Sequence, residues 1–289
     1  MLDNFNDYYD TSIKRTNAAP IEANPRGTVI KGDIRDADLV KHIFREHNIR
    51  RVGHLAAMAN VRNSIEQALL YMDVNLMGTL TLLEAARESE IDVFVLASTS
   101  SVYGLTQQIP FREDDPADHA LAPYPASKRS AEILAYTYTN LWKMNVTVLR
   151  LFNVYGPSGR PDMMPLRLMK AVSSGEEVPI FNGGDIHRDW TYIDDTVNGI
   201  VAALNRPVGY EILNLGVGAP IALQNFIEVI ENLAGKKVNR VDVPTPPSDA
   251  PITYCDNSKA RKLLDFNPQV EVADGLAKTW WWFRETHNI

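Results

Sequence analysis

Tyr124 and Lys128 stand four residues apart in the stretch YPASK, at the start of a predicted helix. Residues at this spacing lie on one face of a helix, so both side chains can reach the same ligand. An ammonium group beside a phenol stabilises the phenolate, which can act as a general base. The spacing alone is a weak signal, because aromatic and lysine residues at helical spacing are common on protein surfaces. The chemistry that it indicates is proton abstraction from a substrate hydroxyl.

A cluster of hydroxyl groups precedes this pair by about twenty-five residues, where a predicted strand ends in LASTSSVYG. The carboxyl ends of parallel strands are where open α/β sheets bind ligands. A hydroxyl of Thr99, Ser100 or Ser101 could therefore hydrogen-bond the oxygen that Tyr124 deprotonates. In the alternative interpretation these side chains only cap the next segment. The occurrence of the hydroxyl cluster followed by the Tyr124–Lys128 pair favours a ligand site.

The elements that must position these residues follow from the hydrophobic pattern. Between Thr28 and Phe152 short apolar runs alternate with amphipathic helical patterns, which predicts βαβ units and a parallel sheet. After Gly156 proline and glycine become frequent, which indicates a smaller and less regular α/β lobe. We therefore predict domains at 1–155 and 156–289, with some segments of the second returning to the first.

Composition and charge restrict the possible partners and the compartment. The 289 residues carry a formal net charge of -7 without a run of five like charges, so a nucleic-acid partner is not expected. No apolar stretch reaches the roughly 18 residues that cross a bilayer, so no membrane partner is expected. The single cysteine, Cys255, cannot form an intrachain disulfide, which favours a cytoplasmic location. The six histidines lack metal-ligand spacing, and no metal is predicted.

Several blocks in fixed order resemble a known family. GDIRD, HLAAMANVRNS, DVNLMGTL, ASTSSVYG, YPASK, RLFNVYGPSGRPDM and CDNSKARKLLDF together resemble the extended short-chain dehydrogenases/reductases, and within them the NAD-dependent nucleotide-sugar epimerases. The resemblance covers essentially the whole chain. It implies a Rossmann-type parallel sheet with a substrate-binding lobe, NAD as cofactor, a UDP-sugar as substrate and a homodimer.

The resemblance also implies catalytic roles. Tyr124 is the expected base, Lys128 stabilises its phenolate and holds the nicotinamide ribose, and Thr99 matches the family's catalytic serine or threonine. In the implied reaction Tyr124 takes the proton of the C4 hydroxyl while hydride passes to NAD. The resulting 4-keto sugar rotates, and hydride returns to its other face.

The expected cofactor residues match family positions along the first half of the chain. Asp3 and Asn4 match positions at the adenosine ribose, and Asp33 and Ile34 match positions that contact adenine. Leu55, Ala56 and Ala57 match the strand end that lies along the dinucleotide, and Asn75 matches an asparagine that bridges neighbouring loops. Each match has a purely structural alternative, since GDIRD can be a turn with a helix cap at Asp36 and HLAA a core strand. Their common order favours the cofactor interpretation.

The expected substrate residues bear on the choice of sugar. Arg160 in GPSGRPDM matches the position that grips a C6 carboxylate, and a guanidinium binds a planar carboxylate in two-pronged fashion. UDP-glucuronate is therefore favoured over UDP-glucose or UDP-galactose. Asn153 and Arg188 match positions for the UDP phosphates, and Asp249, preceded by Ser248 instead of the usual glycine, matches one near the uridine ribose. Arg62 is either a further substrate contact or an exposed surface arginine.

The first residues, MLDNFNDYYD, resemble the end of a buried strand. A dinucleotide-binding fold normally opens with a strand and a glycine-rich turn about 20 residues before such an acidic residue. No glycine precedes Gly27, so we expect a sheet that lacks its first strand and helix, roughly 25 to 30 residues in all. A late start codon, a truncated chain and a catalytically silent UDP-sugar-binding remnant are the explanations considered. Translating the DNA upstream of Met1 would test the first.

Overall fold

The computed structural model describes residues 1–246, 250–287 and 289. The chain is an α/β protein that divides into two compact units. The first unit comprises Met1–Gly104, Pro116–Arg150 and Ile200–Leu213, and the second comprises Leu105–Asp115, Leu151–Gly199 and Asn214–Ile289. Both units are therefore discontinuous in sequence.

The helices and strands follow one another in an irregular α/β order. Up to the fifth strand they are β1 Leu2–Asp3, α1 Thr11–Glu22, β2 Ile30–Lys31, α2 Ala37–Glu46, β3 Arg51–His54, α3 Val61–Glu66, α4 Ala68–Met72, α5 Gly78–Glu88, β4 Val93–Thr99, α6 Pro123–Trp142 and β5 Val146–Leu151. The remainder are β6 Asn153–Tyr155, α7 Met164–Ser174, β7 Val178–Phe181, β8 His187–Tyr192, α8 Ile193–Asn205, β9 Glu211–Leu215, β10 Pro220–Ala222, α9 Leu223–Ala234, β11 Arg240–Val243, β12 Ile252–Thr253, α10 Ser258–Leu264 and α11 Val272–His287.

The main sheet of the first unit has the strand order β3-β4-β5-β9. Strand β3 pairs with β4 in parallel, with His54 opposite Leu96. A separate two-stranded sheet pairs β1 with β2, also in parallel. The sequence predicts a missing strand in this sheet, and within the described residues no strand joins β1 to β3. The predicted α/β class with parallel strands is confirmed.

Amphipathic helices cover this sheet because their apolar faces match its buried strands. Helix α2 begins after Asp36, whose side chain accepts the Leu39 backbone N–H at 3.0 Å as an N-cap. Its residues Val40 and Phe44 are buried in one core cluster with Leu83 and Phe94. The packing of α2 on α5 and of α6 on β4 fixes the helices over the strand ends.

A wide helical turn interrupts the helical segment between Ala68 and Glu88. The structure has α4, a π-helical turn at Asp73–Met77, and α5. Turns of this type insert one extra residue into a helix and are frequent at functional sites. The turn carries the buried side chain of Asn75.

The second unit is built around β8, which pairs with β10 in antiparallel fashion and with β6 and β12 in parallel. A further parallel pair joins β7 and β11. Its core includes Trp190 stacked on Phe226, and helix α11 contributes Trp280 and Phe283. The second unit is thus an α/β body with its own core.

Asp189 of β8 is a buried carboxylate that holds two loops of this unit. It accepts the backbone N–H groups of Val217 at 2.8 Å and Gly218 at 2.9 Å. It also accepts the Cys255 backbone N–H at 3.3 Å and the Cys255 thiol at 3.4 Å. Cys255 is itself buried, and burial first, then the nearby Asp189 charge, raise the pKa of its thiol.

None of the described helices combines the length and the apolar character that a membrane crossing requires. Over the same residues, no group of three or more His, Cys, Asp or Glu side chains is arranged to hold a metal ion.

Candidate active site

The hydroxyl cluster lies where β4 ends, as the sequence predicts. Thr99 is the last residue of the strand, and a short 3-10 helix over Ser100–Tyr103 follows. The Thr99 hydroxyl accepts the Ser101 backbone N–H at 3.1 Å and donates to the Ser101 hydroxyl at 3.2 Å. Thr99 thus caps the turn, and the same contacts fix its hydroxyl at the carboxyl end of the strand.

Helix α6 begins at Pro123, so Tyr124 and Lys128 lie in its first two turns. Proline suits this position because its missing N–H is not needed in the first turn. Tyr124 is half-buried, its ring meets that of Tyr71 edge-on at 6.1 Å, and its carbonyl accepts the Ser127 hydroxyl at 2.7 Å. Lys128 is only 2% exposed. A lysine that is buried one turn after a tyrosine differs from a surface pair.

The charge of Lys128 is balanced between burial and one carboxylate. Burial lowers the pKa of Lys128 to about 8, and the charge of Glu132 acts in the opposite direction. His54, at the end of β3, is also buried, and burial followed by the positive charge of Lys128 lowers the pKa of His54 to about 3. His54 is therefore neutral at physiological pH, and its ring hydrogen-bonds the Thr79 hydroxyl at 2.9 Å. Of these two buried residues, Lys128 is therefore the one that can gain or lose a proton near neutral pH.

Asn75 connects the loop after β3 to the helix that carries Tyr124. Its side-chain oxygen accepts the Met58 backbone N–H at 2.8 Å. Its amide donates to the Met58 carbonyl and to the Ser127 hydroxyl, both at 2.9 Å. All polar groups of this side chain are thus used in joining elements, in agreement with a bridging role.

The residues expected at the adenosine end follow β1 and β2. The Asp3 carboxylate accepts the Phe5 backbone N–H at 2.7 Å, and the Asn4 amide donates to Asp33 at 3.1 Å. Arg35 binds both carboxylate oxygens of Asp33, at 2.8 and 2.9 Å, and these bonds hold the pKa of Asp33 well below its usual range. Ile34 is buried. The structure therefore brings Asn4 and Asp33 together.

The segment after β3 differs from a core strand. Leu55 is 54% exposed, and Ala56 and Ala57 are half-buried. An exposed leucine directly after the buried His54 at the end of β3 is compatible with an apolar surface along a ligand. Arg62 is exposed on the short helix α3.

The second unit carries the other expected substrate residues. Asn153 begins β6 and lies opposite Trp190 of β8. The Arg160 guanidinium binds Asp162 through Nε at 3.0 Å and Nη2 at 3.2 Å. Arg188 donates to the His187 carbonyl at 2.9 Å and the Pro251 carbonyl at 3.3 Å. Asp249 lies outside the described residues.

Sequence reasoning did not identify a buried charged cluster beside Lys128, here called the Glu132 cluster: Ser98, Arg129, Glu132 and Arg150. Two signals for it exist in the sequence. Glu132 follows Lys128 at helical spacing, and Arg150 interrupts the otherwise apolar strand VTVLRLF. A charge within a buried strand needs a partner, but the sequence does not say which one.

Comparison with known proteins places the chain in a family. A family model described as GDP-mannose 4,6 dehydratase matches residues 2–279. A UDP-glucuronate 4-epimerase from Thermodesulfobacterium geofontis is 42% identical over 289 residues, which is 100% of this chain and 89% of that protein.

Solved structures agree with this assignment. The UDP-glucuronic acid 4-epimerase from Bacillus cereus, in complex with UDP-glucuronic acid and NAD, has a TM-score of 0.92 at 34% identity and covers 99% of this chain and 90% of its own. The UDP-glucose 4-epimerase from Thermotoga maritima, with UDP-glucose, has a TM-score of 0.89 at 27% identity, with 99% and 90% covered. The chain therefore belongs to the GDP-mannose 4,6-dehydratase family of extended short-chain dehydrogenases/reductases, which includes nucleotide-sugar epimerases.

Proposed function

We propose that this protein is an NAD-dependent UDP-sugar 4-epimerase that converts UDP-glucuronate to UDP-galacturonate through a 4-keto intermediate. The observation that carries the proposal is the burial of Lys128 one helical turn after Tyr124, on the helix that packs against the strand ending at Thr99. Buried cations beside an acid–base residue are typical of catalytic sites and rare on ordinary helices. The relatives named above support the reaction and the sugar.

The residues of the first unit fit the expected cofactor. A carboxylate and an amide, Asp3 and Asn4, lie at the carboxyl end of a parallel strand, where α/β folds hold the adenosine ribose. The exposed Leu55 offers apolar surface, and Lys128 offers a cation for the nicotinamide ribose. When bound, NAD supplies an acceptor for the C4 hydride and returns it.

In this proposal Tyr124 transfers the proton of the reaction. Its phenolate accepts the proton of the C4 hydroxyl and gives it back when the keto sugar is reduced, so Tyr124 is regenerated in each turnover. Protonated Lys128 stabilises the phenolate by its charge. The Thr99 hydroxyl, held by Ser101, hydrogen-bonds the same sugar oxygen.

Arg160 supplies the preference for a uronic acid in this proposal. Asp162 binds its guanidinium through Nε and Nη2, and the Met163 thioether accepts from Nη2 at 3.5 Å, so a substrate carboxylate would share the guanidinium with these contacts. A 4-keto uronic acid is a β-keto acid and can lose carbon dioxide. A carboxylate held out of alignment with the ketone would resist that loss.

The central experiment follows UDP-glucuronate with NAD by proton NMR, which distinguishes the C4 epimers. We expect UDP-galacturonate to appear, and Tyr124→Phe to lower kcat by about 100- to 10,000-fold, the usual contribution of acid–base catalysis. Tyr254→Phe in the second unit is the matched control and should retain activity. Sugar-nucleotide binding without turnover would favour a silent binding protein, and conversion of UDP-glucose alone would favour the UDP-glucose/galactose alternative.

Arg160→Ala tests the choice of sugar. We expect kcat/KM for UDP-glucuronate to fall about 10- to 100-fold, as for the loss of a charge-assisted hydrogen bond, and UDP-pentose to appear from decarboxylation. Arg240→Ala, which removes an exposed arginine on β11, should change neither value. If Arg160→Ala retains full UDP-glucuronate turnover without pentose, Arg160 does not bind the carboxylate.

The same proposal includes a homodimer through helices α4 and α6. Both helices expose large apolar side chains: Leu69 is 88% exposed, Ile133 is 53% exposed, and Tyr136, Leu141 and Trp142 are also exposed. Helices α4 and α6 pack on each other, and large exposed apolar side chains grouped on neighbouring elements favour an interface. Sedimentation should show a dimer that Leu69→Glu with Ile133→Glu converts to monomer, while Trp281→Lys on α11 leaves it intact. A wild-type monomer at micromolar concentration would contradict this.

A cytoplasmic location belongs to the proposal as well. The only cysteine is buried and has no partner for an intrachain disulfide, which suits a reducing compartment. Fractionation of source cells with an antibody to the protein would test it.

A further inference from the structure

The Glu132 carboxylate is fully buried and binds donors from three elements. One oxygen accepts the Ser98 hydroxyl and the Arg150 Nε–H at 3.1 Å. The other accepts Arg150 Nη2–H at 2.8 Å and Arg129 Nη1–H at 3.0 Å. Strand β4, strand β5 and helix α6 thus meet at a single side chain.

Arg150 is as buried as its partner and is held on a second side. Its guanidinium lies over the Tyr103 ring, 4.6 Å from the centroid. Tyr103 ends the short helix that follows Thr99. The backbone of Glu132 is held too, because its carbonyl accepts the Tyr210 hydroxyl at 3.0 Å. The cluster therefore grips the chain on both sides of Thr99, at Ser98 and at Tyr103.

The location of the cluster is specific. Ser98 immediately precedes Thr99, and Glu132 follows Lys128 by one helical turn. Three of its four members, Ser98, Glu132 and Arg150, are buried, and burying polar side chains costs more than packing apolar ones of the same size. Apolar side chains would be enough to pack the strands β4 and β5 against helix α6. The buried charges therefore indicate a connection between these elements that depends on charge.

We propose that Glu132 is a positioning residue of the active site, which fixes the strand end bearing Thr99 against the helix bearing Tyr124 and keeps a negative charge beside Lys128. This inference rests on the proposed function for its kinetic consequences but not for its geometry. Without Glu132, the cations Arg129 and Arg150 would also lose their shared counter-charge.

Lys128 has other charged or titratable neighbours, which the variants leave in place. His54 interacts with Lys128 directly, and further charged or titratable groups lie on α6 and on the elements around it: Tyr71, Tyr103, Tyr124, Arg129 and Arg150. Glu132 is the group whose charge counters the effect of burial on the pKa of Lys128. Its removal therefore has a defined sign: Lys128 loses its proton at lower pH.

The experiment compares Glu132→Gln, Glu132→Asp and Ser98→Ala with the wild type. In Glu132→Gln we expect kcat to fall at least tenfold with KM for UDP-glucuronate within threefold, and the alkaline limb of kcat to move to lower pH. Glu132→Asp keeps the charge, so its alkaline limb stays in place while kcat falls because the shorter side chain loses reach. Ser98→Ala, which removes only the link to β4, should lower kcat without moving the limb.

A readout without turnover separates this inference from the proposed function. In protein labelled with ¹³C at lysine Cε, the Lys128 signal is assigned by its loss in Lys128→Met, and its titration is followed by NMR. We expect Glu132→Gln to lower this pKa by about one unit or more, the size of a nearby opposite charge. A wild type without epimerase activity would refute the proposed function. The titration of Lys128 would still test whether Glu132 influences the charge of Lys128.

Glu231→Gln is the matched control, because Glu231 is a buried glutamate of the second unit held by Lys237 and the Val238 N–H. It should lower Tm without moving the kcat profile or the Lys128 titration. The proposal is overturned if Glu132→Gln behaves like Glu231→Gln in kcat and in the titration. If Glu132→Gln does not fold, unchanged kcat in both Ser98→Ala and Glu132→Asp overturns it.

Discussion

Glu132 in the first unit and Asp189 in the second are both fully buried carboxylates, yet they are satisfied in different ways. Glu132 binds two arginine side chains and one serine hydroxyl; Arg129 lies on its own helix, whereas Arg150 and Ser98 come from two strands. Asp189 binds backbone N–H groups and a thiol, without a cation among its described contacts. Burial accordingly raises the pKa of Asp189, and the amides offset this only in part.

The difference separates two structural tasks. A cation-paired carboxylate can join long side chains from several strands and helices, and it tunes any further charge nearby. A carboxylate bound to amides fixes the path of the loops that supply them. The first arrangement lies beside the residues proposed for chemistry, and the second organises the fold of the other unit.

The largest expected effect is on the cation-paired site. Arg150→Met leaves Glu132 buried with one arginine and one hydroxyl, and loss of one partner of a buried ion pair typically costs about 3–5 kcal/mol. Urea denaturation followed by circular dichroism measures the free energy of unfolding. The double variant Arg150→Met with Glu132→Leu removes both charges and should recover much of the loss. Equal losses in the single and double variants would contradict an ion-pair origin.

Asp189→Asn should have a smaller effect, about 1–3 kcal/mol, because one carboxylate oxygen becomes an N–H₂ group that faces N–H donors. The loss should appear as a lower midpoint of urea unfolding. Glu211→Gln, a half-buried acidic residue of β9, serves as a comparison that should change stability little. A cost above that of Arg150→Met would reverse the ranking of the two sites.

The cost of Asp189→Asn should also depend on pH. A carboxyl group whose pKa is raised on folding favours the folded state below its unfolded pKa of about 3.9, and this contribution is lost as pH rises through the folded value. The wild type should therefore lose stability relative to Asp189→Asn as pH rises above about 4, so the cost of the substitution shrinks as pH rises. Urea unfolding at several pH values checks this, and a cost that grows with pH would contradict it.

The smallest effect is expected where a cation-paired carboxylate is partly exposed. Arg35→Gln releases Asp33, and exposed ion pairs contribute only about 0.2–1 kcal/mol. Since the folded pKa of Asp33 is lowered, its contribution exists above the unfolded pKa and fades as pH falls below about 4. The difference should be smaller at pH 3 than at pH 7, because the contribution is lost as pH falls from about 4 through the low folded pKa, and a loss at pH 3 of the same size would point to packing instead.

The sequence predicted the parts of the fold that local pattern controls. Tyr124 and Lys128 lie at the start of a helix, Thr99 ends a strand, and the family assignment is confirmed. Helix α1 was not predicted, because Pro20 and many polar residues obscure its pattern. The π-helical turn was not predicted, since a single inserted residue has no sequence signature of its own.

The missed part of the site depends on contacts across the chain. Glu132 and Arg150 come from different elements, and their pairing follows from the tertiary fold rather than from local spacing. The same holds for Asn75, whose partners Met58 and Ser127 lie on two other segments. Local patterns can indicate that a buried charge needs a partner but cannot identify it.

The reactivity of the buried Cys255 thiol reports on local opening of the second unit. The chain has no other cysteine, and a protonated thiol shielded from solvent reacts slowly with alkylating reagents. Modification must therefore wait for local opening around β12, and its rate measures how often that part of the second unit opens. Mass spectrometry of labelled protein thus gives an opening free energy without an engineered probe, and ligands that hold this unit closed would slow the labelling.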